Sequence, residues 1–258
     1  MWRVTLYAVW ALAASLAFPV HAAELELVAD TLEGPGFSAK KLRLSFSGAG
    51  PLKLSIGELS AQGRTWRNVG LACREAALEA NVLQCREGAL ELSTRIPIRF
   101  SYSFSENKLE AELTPEPGER WRIAARFGGA SWSASLTVDH GQAAHFGAFV
   151  PDGVPRPSAG RLTGSASLTG KRDGLQTLAL DLGLAGLAFS DASGLHAGDN
   201  VSGRIGLRAE AQRAAWSWRG EALWKSGEIF WQPFYGKGAN NRVEARGLQD
   251  ARRLEAEQ

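Results

Sequence analysis

Between Arg95 and Ser105 the large apolar residues fall on every second position. Ile96, Ile98, Phe100, Tyr102 and Phe104 alternate with Pro97, Arg99, Ser101, Ser103 and Ser105. Successive side chains of an extended strand point to opposite faces, so this spacing puts one face in contact with oil and the other with water; a helix would scatter the same residues around its circumference. The period recurs along the chain. Leu42, Leu44 and Phe46 show it, as do Leu52, Leu54 and Ile56, and Leu178, Leu180, Leu182 and Leu184. Glycine-rich joints separate the runs at Gly34-Pro35-Gly36, at Gly48-Ala49-Gly50-Pro51 and at Gly128-Gly129. Many strands joined by short turns, each with one apolar face, predict an all-β fold. The 29 glycines and nine tryptophans fit that pattern.

Both cysteines open the same tripeptide, Cys73-Arg74-Glu75 and Cys85-Arg86-Glu87, twelve positions apart. That period suits a strand and a turn. Outside the cytoplasm two such cysteines are expected to be bridged. The alternative for part of this stretch is a short helix over 75–83, because Leu71, Leu78 and Val82 fall near helical spacing. The repeated tripeptide and the surrounding alternation favour strands.

The extracytoplasmic address comes from residues 1–23. Arg3 precedes an apolar run from Val4 to Phe18, Pro19 breaks it, and Val20-His21-Ala22 is a small-residue cleavage signal. This is the pattern of a secretory signal peptide; the run is shorter than the ~20 residues a spanning helix needs. The expected location is the periplasm, with an uncleaved inner-membrane anchor as the alternative. Residues 24–138 are expected to form a first antiparallel β section, 139–158 a long loop with a short helical turn near Ala143, and 159–258 a second β section that stops within a strand. An edge left open there would offer unpaired backbone groups to an envelope protein or to further chain. Lys225-Ser226-Gly227 reads as a turn between two strands.

Chemistry is harder to find. With 29 Lys and Arg against 27 Asp and Glu and no basic block, nucleic acid is not an expected partner. His140, His145 and His196 lack the spacing of a metal site, so no metal is expected and the three are read as loop histidines. No Gly-x-Ser-x-Gly elbow occurs, and Gly34-Pro35-Gly36 leads into a strand where a dinucleotide loop would start a helix. No catalytic residue and no cofactor are expected, and the chain reads as a non-enzyme. Trp216, Trp218, Trp224 and Trp231 lie on consecutive alternating strands, where lining and core can be one surface. An outer-membrane barrel is the less favoured reading, since many strands look shorter than the ~9–11 residues it requires.

Several motifs together resemble the AsmA-like superfamily of Gram-negative envelope proteins, which includes repeating β-groove lipid transporters. They are Leu32-Glu33-Gly34-Pro35-Gly36 before Leu42-Arg43-Leu44, the twin Cys units ending in Gly88-Ala89-Leu90-Glu91-Leu92, the strand starts Gly160-Arg161-Leu162-Thr163-Gly164 and Gly203-Arg204-Ile205-Gly206-Leu207, and Ser193-Gly194 with Asn200-Val201-Ser202-Gly203. The resemblance implies a long, curved, mainly antiparallel sheet whose concave side holds acyl chains. Ile96, Ile98, Phe100, Tyr102, Phe104, Trp216, Trp218 and Trp224 would then line a lipid groove, and phospholipid or another acyl-chain molecule would be the ligand. The alternative is a structural or adhesin-like β-sandwich with its apolar faces filled by protein.

Overall fold

The computed structural model describes residues 24–34, 37–47, 49–61, 64–92, 94–147, 149–150, 153–172, 174–213, 215–250 and 254–257. The signal-peptide reading of 1–23 and the turn residues Pro35, Gly36, Gly48 and Gly63 lie outside them. The fold is all-β: one open, antiparallel sheet. Its strands are β1 (Glu24–Gly34), β2 (Phe37–Ser47), β3 (Ala49–Ala61), β4 (Arg64–Glu79), β5 (Val82–Glu91), β6 (Arg95–Ser103), β7 (Lys108–Leu113), β8 (Arg120–Gly128) and β9 (Ser131–Gln142). After the single helical turn α1 (Ala143–Phe146) come β10 (Arg156–Lys171), β11 (Gly174–Ser190), β12 (His196–Gln212), β13 (Ala215–Trp231), β14 (Phe234–Lys237), β15 (Asn241–Asp250) and β16 (Leu254–Glu257). Strand follows strand in chain order, except that β14 hangs off β13, which pairs next with β15. Such a meander needs only tight turns, which is why glycine and asparagine punctuate the sequence.

By contacts the chain forms two compact units, one up to Arg99 and one from Phe100. In the first, alternation becomes cross-strand rows. Leu27, Leu44, Leu54, Leu71 and Leu90 are register partners across β1 to β5, and beside them run Leu25, Phe46, Leu52, Cys73 and Gly88. Cys73 and Cys85 are bonded, with Sγ atoms 2.06 Å and Cα atoms 5.9 Å apart. The stretch 75–83 is not a helix: β4 continues to Glu79, and Ala80 and Asn81 make a two-residue turn with both φ values positive, 46° and 65°. That turn matches the strand twist, so the two Cys-Arg-Glu copies face each other on one hairpin. The disulfide also fixes the need for glycine at position 88, where a Cβ would lie 2.8 Å from Cys85 Sγ and 3.1 Å from Ile98 Cγ2.

In the second unit the strands are longer than the sequence suggested; β11, β12 and β13 each run 17 residues. Lys225-Ser226-Gly227 does not turn the chain. It forms a bulge inside β13, with Gly227 at φ +94° and its Cβ position 2.3 Å from Asn200 O. Only a residue without a side chain tolerates both the left-handed backbone and that approach. Irregularities at the same level cross the neighbouring strands, at Gly160, between Leu184 and Leu187, and at Asn200. Bulges bend a strand and raise its local twist, so this line is a crease across β10 to β13. The segment 139–158 is only partly loop. β9 persists to Gln142, α1 follows, and β10 begins at Arg156, because Gln142 and Gly141 still pair with Arg161 and Leu162.

Candidate functional site

The candidate site is the apolar face of the second unit. Its side chains come from alternate positions, and the register lines them up. One row runs Ile123, Leu136, Ala166, Leu180, Leu207, Gly220 across β8 to β13. The next runs Ala125, Ala134, Leu168, Leu178, Ala209, Trp218. A third passes through Val138, Gly164, Leu182, Ile205 and Ala222. The intervening positions carry the polar face, where Ser165, Asp181, Gly206, Glu221 and Glu244 form a row. There Arg204 donates twice to Asp181, at 2.8 and 2.5 Å, and Arg242 sits 2.7 Å from Glu244. The guanidinium holds the Asp181 carboxyl below its ordinary range. These pairs are exposed and keep one face wet; exposed pairs contribute little stability.

Burial is uneven along the face. Leu113, Trp121, Ala125 and Val138, on β7 to β9, are buried. From β10 onward Leu178, Leu180, Leu182, Leu184, Leu207, Trp216 and Trp218 are only half-buried, and Ile205 is exposed. Among the described residues no second sheet lies over them, and α1, the one described helix, packs against β8, β9 and β10. A sheet face this apolar normally carries a cover.

Of the residues singled out by sequence, Trp216, Trp218 and Trp224 all lie on this face, opposite Ala211, Ala209 and Gly203 of β12. Trp224 is not a free lining residue. The β14 segment folds against it, so Cβ atoms at Gly236 and Gly238 would fall 2.8 and 2.5 Å from its ring, and its Nε1 donates to Ser226 O. Trp218 Nε1 is shielded and, alone among the described buried side-chain polar atoms, has no acceptor. Ile96 and Ile98 belong to the first unit, Ile96 buried and Ile98 half-buried. Phe100 and Tyr102 belong to the second unit and are half-buried. Phe104 departs from the pattern: β6 ends at Ser103, and Phe104 is an exposed turn residue whose ring meets Tyr102 edge-on at 4.9 Å.

Sequence reasoning missed a polar latch beside the face. Glu119 is 3% exposed. Its Oε1 accepts from Trp121 Nε1 at 2.8 Å and from the Gln142 backbone at 3.0 Å, and its Oε2 lies 2.8 Å from His145 Nδ1. Trp121 in turn meets Phe146 at 4.5 Å and Phe149 at 6.1 Å. The carboxylate thereby pins α1 over β8 and β9. His145 is thus a buried-cluster partner rather than a loop residue. His196 is also tied down: it opens β12, lies 2.5 Å from Asp191 and meets the Trp231 ring at a tilt, with centroids 4.3 Å apart. The His196 hydrogen bond, with one from Ser193, lowers the Asp191 pKa to about 2. Here the serine serves the carboxylate, not the imidazole, so no nucleophile is activated. No cluster of three metal-ligating side chains occurs among the described residues, and no described helix is long and apolar enough to cross a membrane.

No family model, curated protein or solved structure matches the chain. The functional reading therefore stands on the face itself: apolar rows running from β8 to β13, polar on the other side, and half-buried from β11 onward.

Proposed function

We propose that this protein binds or conducts lipid in the periplasm during cell-envelope biogenesis, without catalysis. The observation that carries the reading is the half-exposed apolar face of β10 to β13, whose rows of leucine and tryptophan match the long, flexible surface of an acyl chain. Contact with such a chain removes apolar area from water at about 25 cal/mol per Å². The resemblance to the AsmA-like superfamily implies the same arrangement, and the leader pattern of 1–23 implies the compartment. The ligand is a phospholipid or another acyl-chain molecule, and an envelope protein pairing at an open sheet edge is the expected macromolecular partner. A closed adhesin-like sandwich is less well supported, since it needs a second sheet over this face and the described strands share one sheet.

Native mass spectrometry after gentle extraction tests the proposal. The expected outcome is copurifying lipid, and binding of a fluorescent fatty acid that falls at least about tenfold in Leu180→Lys, since a charge placed against acyl chains loses its hydration. A lipid-free protein that binds no fatty acid would refute it.

A further inference from the structure

The two ends of the second unit's sheet differ. Registers place the end of β9, the start of β10, the end of β11, the start of β12 and the β13–β14 turn at one end: Arg156 pairs with Ser190, Ser190 with Ala197, His196 with Trp231, and Trp231 with Phe234. The connections there carry Phe149, Val154 and Leu195, and the turn carries Trp231, Phe234 and Tyr235, all exposed. Phe234 is 73% and Tyr235 63% exposed. The opposite end turns through 104–107, Lys171-Arg172 and Gln212-Arg213, where Phe104 and Phe127 are exposed but no tryptophan or tyrosine is. The crease through Gly160, Asn200 and Gly227 separates the aromatic end from the long rows of the apolar face.

We infer that this aromatic end docks on the surface of a phospholipid bilayer, seating Trp231, Phe234 and Tyr235 at the boundary between headgroups and acyl chains. The inference rests on the lipid-binding reading above and deepens it by naming where the acyl chains come from. Three observations select a bilayer. First, the side chains project from a turn tip and two strand connections, and include the amphipathic Trp and Tyr that favour the membrane–water boundary. Second, two carboxylates beside the tip, Glu228 and Asp191, are engaged within the protein. Glu228 accepts a hydrogen bond from Tyr235 and is bridged by Lys237 at 3.2 Å, and Asp191 is held by His196 and Ser193. That leaves a surface matched to a zwitterionic headgroup layer rather than to a charged partner. Third, the row of the apolar face nearest this end, Leu184, Gly203 and Trp224, meets the β14 segment that carries Phe234 and Tyr235.

Flotation of the full chain with vesicles of pure phosphatidylcholine tests this. The wild type is expected to float, with little loss between low and physiological salt. The Phe234→Ser/Tyr235→Ser variant should bind at least about tenfold more weakly, the factor that burial of an aromatic side chain corresponds to, and Phe127→Ser at the other end should bind like wild type. Both substituted positions of the double variant are exposed, so its strand spectrum and fatty-acid binding should be unchanged. Absence of flotation, equal flotation of the double variant, or a requirement for anionic lipid would overturn the inference. So would lipid-free self-association abolished by the double variant, which would assign the patch to a second copy. Retained fatty-acid binding in a protein that does not float would sink the docking and leave the groove standing; loss of fatty-acid binding in the wild type would sink the groove.

Discussion

Glu119 is the side chain on which the second unit's best-packed corner depends. Its carboxylate meets three donors in a site nearly closed to water, and the donors come from β8, the end of β9 and α1. Removing a buried acceptor leaves its donors unpaired, at about 1–3 kcal/mol for each group. Glu119→Ala should therefore lower unfolding stability by about 3 kcal/mol in a urea titration, and its protection loss by hydrogen exchange should centre on α1. Asp191 supplies a pH-dependent term. Its pKa in the folded protein, about 2, lies below the ordinary carboxylate value, so its stabilising contribution is complete above about pH 4 and is lost as the pH falls toward 2. Asp191→Asn should melt below wild type at pH 6, and the gap should close as both are brought to pH 2. A gap that does not change with pH would show that the ion contributes nothing there.

The β4–β5 hairpin shows what an element can gain from one covalent bond. Cys73 and Cys85 close a loop with a sequence separation of 12, and a loop of that length is worth about 3 kcal/mol in the chain-entropy account. Cys73→Ala/Cys85→Ala should lose that much in chemical denaturation, and reductant should reproduce the loss in wild type. The pairing was legible from the repeated tripeptide, and the strand faces from alternation alone: Leu178 to Leu184 fell on the apolar side as read. What alternation did not disclose was strand length. Gly227 reads as a turn residue because glycine readily takes a left-handed backbone, yet the chain spends that conformation on a bulge and continues. Phe104 extended an alternation that the strand itself abandons one residue earlier. The Glu119 latch was hidden because its His145 and Gln142 partners lie 26 and 23 positions away, and no local pattern encodes contacts at that range.

At the scale of the whole molecule, the strands of one sheet follow chain order, and in the second unit they present a polar face and an apolar one. The apolar face is well covered at β7 to β9 and half-bare from β10 onward. On the proposed function, acyl chains complete that face. Photo-crosslinking side chains placed singly at Leu180 and Leu207 on the apolar face, and at Asp181 and Arg208 on the polar one, report on this in cells. Lipid adducts at the first pair and none at the second is the predicted result; adducts at neither pair, or at both alike, would contradict it.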